Sequence, residues 1–127
     1  MSGTLPILVT WDVDPSPEVP YEARRRSLDV TLDLCRDLAV RTTFFVTAQA
    51  DHVHADDLDR MQSLGHEVGC HGLTHTGEEE YQRMPAADVR AYIEQATDRL
   101  QSAAGTPITV FRSPRLKMGA SALDALV

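Results

Sequence analysis

Apolar residues along the chain follow two alternating rhythms, short dense runs and longer stretches where they recur every third or fourth position. The dense runs, residues 5–11, 42–47, 67–71 and 108–111, are too short for helices and predict β-strands. The run at 42–47, with Phe44, Phe45 and Val46 in succession, reads as buried on both faces. Between the first two runs, Pro15, Pro17 and Pro20 enforce a loop. Residues 21–38 then repeat Leu28, Leu32, Cys35 and Leu38, the spacing of an amphipathic helix. Residues 56–64 predict a shorter helix with Leu58, Met61 and Leu64 inward and Gly65 as its stop. Pro85 stands where a first helical turn tolerates it, and the helix after it repeats Val89, Ile93, Ala96 and Leu100 before Gly105. Pro107 leads into the fourth strand, and a last helix begins near Ser121 and runs to Val127.

The order is β then α, four times over. Strands alternating with helices of this length demand parallel pairing through right-handed crossovers, so the fold class is α/β. Four βα units make about half of a barrel, the architecture whose closure removes exposed sheet edges. The final helix has neither a glycine cap nor a charged last turn. The expectation is therefore one domain over residues 1–127, an incomplete parallel (β/α) barrel cut at its C-terminal side. Unpaired edges on strands one and four would favour self-pairing, so a homo-oligomer is expected.

Composition narrows the partners. With 43% hydrophobic residues the chain can bury a core, and a formal charge of −7 opposes binding to nucleic acid or to anionic membranes. No stretch approaches the ~20 apolar residues of a membrane span, and residues 1–6 lack a signal core, which makes a cytoplasmic location the expectation. Two cysteines are too few for a disulfide framework. Cys35 falls on a helical apolar stripe. Cys70 precedes His71, which raises a zinc-ligand role, but strand alternation turns it away from that histidine and toward the core.

Three clusters carry the chemistry, and each directly follows a predicted strand: Asp12-Val13-Asp14, His71-Gly72-Leu73-Thr74-His75 and Arg112-Ser113-Pro114. Parallel α/β proteins build sites at this end of their strands. Two carboxylates spaced by one residue can serve one site, one binding a cation and one accepting a proton. Two imidazoles converging with a carboxylate make a three-ligand zinc site that leaves a position open for water. Arg112 at the same rim is placed to orient Asp12 through a bidentate pair. His52 and His54 lie in a loop on the same side, either solvated or within reach of substrate. His66 starts the third strand at the opposite end and reads as a surface or turn residue. Glu78, Glu79 and Glu80 read as a solvated loop, and Trp11 as a packing residue.

The ordered set Thr10-Trp11-Asp12-Val13-Asp14, Thr43-Phe44-Phe45-Val46, His71-Gly72-Leu73-Thr74-His75 and Phe111-Arg112-Ser113-Pro114 resembles the polysaccharide deacetylases of carbohydrate esterase family four, the chitooligosaccharide deacetylase homology domain. The resemblance implies a distorted (β/α) barrel of seven or eight strands. It implies removal of N- or O-acetyl groups from acetylated glycans such as chitin, peptidoglycan or xylan, with Zn2+ or another divalent ion. By position, Asp12 resembles the catalytic base, Asp14, His71 and His75 the metal triad, and Arg112 the residue that orients the base. There are three departures. Val13 separates aspartates that are more often adjacent, a variant similar to a subgroup acting on peptidoglycan-like substrates and small cyclic or ureide amides. Arg115 stands where many members carry an aromatic of the acetyl pocket. The late motifs, with the histidine that protonates the leaving amine, have no counterpart. The expected activity is metal-dependent deacetylation. Alternatives are a catalytically incomplete metal- or glycan-binding fragment and a hydrolase of small cyclic amides or ureides.

Overall fold

The computed structural model describes residues 3–127; what was expected of the first two residues lies outside them. Three parallel strands, β1 (Thr10–Val13), β2 (Thr43–Val46) and β3 (Glu67–Cys70), form a sheet in the order β1-β2-β3. Helices α1 (Tyr21–Asp37), α2 (Ala55–Ser63) and α3 (Ala86–Ala104) alternate with them, and α4 (Ala120–Ala125) follows a short 3-10 turn at Pro114–Leu116. No helix among the described residues is long and apolar enough to cross a membrane.

Strand alternation divides the sheet into two faces. Phe44, Val46, Val68 and Cys70 point toward the helices and join Leu32, Leu58, Met61, Ala96 and Leu100 in the main core. Asp12, Phe45 and Gly69 share a register row and lie on the other face. A Cβ on Gly69 would sit 2.8 Å from the Phe45 ring and from Val110, so only glycine lets that ring lie flat across the row. Val89 and Ile93 of α3 pack with Tyr81 and Ala122 in a smaller cluster that fixes α4.

Four expectations are corrected. The first strand occupies Thr10–Val13 rather than residues 5–11, and Leu5, Ile7 and Leu8 are exposed. The cause is register: Thr10 pairs with Thr43, so earlier residues face only the turn out of α1. That turn closes with Ala39 at φ 54° and the Val40 amide donating to Cys35 O at 2.9 Å, a left-handed cap that leaves Leu38 outside rather than inward. Leu64 likewise caps α2 from outside. The fourth strand is reduced to one parallel bridge, Cys70 to Phe111. Pro107 has no amide to give, and the Ile108 amide donates to the Gln101 side chain at 3.1 Å instead of to β3. Pro85 is the N-cap of α3, and Gly105 ends that helix in the left-handed conformation as expected.

Candidate active site

Asp12, Asp14, His71, His75 and Arg112 all gather at the C-terminal rim of the sheet. Asp14 Oδ1 lies 3.4 Å from His71 Nε2 and 3.5 Å from His75 Nε2, and one ligand atom from each residue falls within 4.8 Å of the others. Zinc bonds of about 2.0–2.1 Å in tetrahedral geometry place neighbouring ligand atoms about 3.3 Å apart. The three side chains therefore fit a divalent cation with little adjustment. Cys70 does not join them: it is buried among the core residues, and burial pushes its thiol up to about 11.

His71 is oriented by its second nitrogen, and both imidazoles by the loop that carries them. His71 Nδ1 lies 2.8 Å from the Arg112 carbonyl oxygen, which can only accept, so the proton sits on Nδ1 and the Nε2 lone pair faces Asp14. The loop turns sharply at Gly72, φ 80°, where a Cβ would lie 2.5 Å from Pro114 and 2.7 Å from Glu79 Oε1. His75 then adopts φ 56°, a left-handed conformation that folds its ring back to 5.1 Å from that of His71.

Glu79, expected in a solvated loop, organises this turn. Its carboxylate is buried, 3% exposed, and accepts from the Leu73 amide at 2.7 Å, the Thr74 amide at 2.6 Å and the His75 amide at 2.8 Å. The Thr74 hydroxyl at 3.0 Å and the Tyr81 phenol at 2.5 Å complete five donors. Burial first, and then the bond to Glu79, hold the Tyr81 phenol well above its usual range, so it remains a donor. Three successive amides aimed at one point need an anion, and Glu79 supplies it. Nothing within the run Glu78-Glu79-Glu80 distinguishes it from its neighbours. Glu78 is exposed as expected, whereas the Glu80 side chain is mostly covered by its ion pairs with Arg83, Arg115 and Lys117.

On the aspartate side the bidentate expectation is corrected. Arg112 divides its fork: Nη1 donates to Asp12 Oδ1 at 2.6 Å and Nη2 to Thr10 Oγ1 at 2.7 Å. Its guanidinium stacks on the Phe45 ring, 4.2 Å from the centroid, which the bare Gly69 permits. Asp12 Oδ2 is thereby left to face the histidines, 3.8 Å from His71 Nε2.

The remaining histidines separate. His66 is buried, not a surface residue, and its Nδ1 accepts from the Thr42 amide at 3.3 Å. His52 and His54 are half-buried behind β1, His52 bonded to Arg24 and His54 stacked on Tyr21. Trp11 packs against the core, as expected.

A family model described as polysaccharide deacetylase matches residues 4–127. A bifunctional xylanase/deacetylase of Pseudobutyrivibrio xylanivorans is 28% identical over 113 residues, which span 88% of this chain and 17% of that protein. A family 4 acetyl xylan esterase from Clostridium thermocellum, solved with a cobalt ion, superposes with a TM-score of 0.69 at 26% identity, covering 94% of this chain and 54% of that one. A family 4 pseudoenzyme from Bacillus anthracis gives a TM-score of 0.74 at 14% identity, covering 93% and 39%. The chain thus spans about half or less of each of these relatives. Their (β/α) barrel is the architecture to which its parallel βα units correspond. With the match running almost from end to end, the chain belongs to the polysaccharide deacetylase family.

Proposed function

We propose that this chain carries the centre of a metal-dependent hydrolase that removes acetyl groups from N- or O-acetylated carbohydrate. The observation that carries this reading is the convergence of Asp14 Oδ1 and two imidazole Nε2 atoms beside a second carboxylate held by an arginine. A divalent cation held by Asp14, His71 and His75, with zinc the first candidate, would polarise the acyl oxygen and acidify water. Asp12 is the base. Arg112 occupies its Oδ1, so the free lone pairs of Oδ2 point to the side where the imidazoles lie. Arg112 positions that base, and its carbonyl keeps His71 in the ligating tautomer.

The names of two relatives, a xylanase/deacetylase and an acetyl xylan esterase, support an acetylated polysaccharide as the substrate class. Zinc titration followed by calorimetry should show one tight site that disappears in His71→Ala, and acetate release from acetylated xylan should require it. Absence of zinc binding would end this reading. The pseudoenzyme relative supports a second one, binding of metal and glycan without turnover. It predicts zinc binding with no acetate release.

A further inference from the structure

Arg112 reaches β1 across the sheet, its guanidinium lying on the Phe45 ring in the row that Gly69 leaves bare. A guanidinium beside a carboxylate frequently spends both Nη groups on it, because two parallel bonds to an anion are stronger than one shared with a neutral group. Here only Nη1 goes to Asp12, while Nη2 donates to the Thr10 hydroxyl at 2.7 Å. A neutral oxygen has taken the arm that the second carboxylate oxygen would otherwise attract.

The strand shows how it can. Thr10 and Asp12 stand two positions apart in β1, so both side chains lie on the face that carries Phe45. Thr10 is β-branched, so its χ1 is stiff and the hydroxyl is held on station. A hydroxyl oxygen has two lone pairs, and one of them receives Nη2 in a bond partly shielded from solvent.

The consequence falls on Asp12. With both arms on the carboxylate, each of its oxygens would carry a charge-assisted bond. With the fork split, Oδ1 alone carries the arginine, and Oδ2 stands 3.8 Å from His71 Nε2. We propose that Thr10 is a positioning residue of the hydrolytic centre: by holding Arg112 Nη2 it splits the fork and keeps Asp12 Oδ2 free to take a proton. It acts through Arg112 and touches no reacting atom. The inference rests on the deacetylase reading above, in which Asp12 is the base, and adds to it the residue that keeps the base open.

Thr10→Val keeps the branched shape and removes the acceptor. In a crystal structure of that variant, Nη2 should lie within about 3.2 Å of Asp12 Oδ2, while the unaltered chain keeps it on Thr10. In acetate release from acetylated xylan, kcat should fall about tenfold or more, with KM and calorimetric zinc affinity within about twofold. Thr10→Ser, which returns the oxygen, should recover most of the loss. A merely structural role would move stability instead and would give no such split between kcat and KM. Circular dichroism checks that each variant is folded, and Thr10→Ala replaces Thr10→Val if that variant is not. An Arg112 fork unmoved in the variant, a fork closed on both Asp12 oxygens in the unaltered chain, or an unchanged kcat would overturn the role of Thr10. Absence of acetate release from the unaltered chain would instead count against the deacetylase reading. The two crystal structures would still decide what Thr10 does to Arg112, so the two failures are distinguishable.

Discussion

The two halves of the rim are built to different standards of rigidity. The histidine half is over-determined: His71 is 2% exposed, its ring is fixed through Arg112 O, and Glu79 holds three consecutive amides of its loop. The aspartate half stands on the outer strand β1, with Asp12 and Asp14 side chains 36% and 42% exposed and one arginine as principal support. A cation demands preorganised ligands, whereas a base that must exchange protons with water needs access to it. On the proposed reading the histidine half supplies two preorganised ligands, while on the aspartate half Asp14 completes the cation site and Asp12, open to water, is left for proton transfer.

The strongest way to break this division is to remove one member from each half. His71→Ala should abolish zinc binding measured by calorimetry. Asp12→Asn should leave zinc affinity within about threefold while acetate release falls by roughly 10²–10⁴, the usual worth of a general base. If both variants lose zinc equally, the halves are not separate.

Glu79→Gln sharpens the same contrast, because Glu79 bonds the histidine loop and Tyr81 but neither aspartate. The new amide would point N–H groups at backbone N–H donors. Zinc affinity should fall about 10- to 100-fold, and denaturant midpoints should show a loss of about 3 kcal/mol. A smaller step is Arg112→Lys. An ammonium cannot divide itself between Asp12 and Thr10 or stack flat on Phe45, so acetate release should drop by about tenfold with zinc affinity nearly unchanged. Tyr81→Phe removes one of the five donors to Glu79, and should cost about 1 kcal/mol in thermal unfolding.

The smallest effect concerns pH. Burial, and then Arg41, lower the pKa of His66 below its ordinary 6.5. The unfolded chain thus takes up a proton that the folded chain refuses, so this contribution is present above about pH 6.5 and is lost as pH falls from there toward the depressed folded value. His66→Gln should flatten the acid limb of the stability curve measured by urea titration.

Much of this is legible in the sequence alone. The residues of the rim emerged because each follows a short apolar run, and parallel pairing sends those run ends to one side. The apolar stripe of α3 was legible in full, since Val89, Ile93, Ala96 and Leu100 are all buried. What escaped depends on partners distant in the chain. The residues before Thr10 look like a strand by composition, but extension needs a neighbour, and register denies them one. Ile108 looks like a strand residue until Gln101 takes its amide. Glu79 sits in a run of three like charges, and nothing local tells which one turns inward; the answer lies in three unpaired amides four to six residues earlier. His66 was misplaced because burial at a strand's start depends on the Thr42 amide, 24 positions away.

Gly72 has a consequence for engineering. Wedged between the Pro114 ring and the Glu79 carboxylate, it gears the loop after β3 to the loop after Phe111, so a side chain added there would push apart the imidazoles and the guanidinium in a single displacement. Libraries meant to widen substrate range should leave that hinge pin alone. Arg115, tethered at the periphery by Glu80 and the His75 carbonyl at 3.5 and 3.4 Å, is the place to diversify.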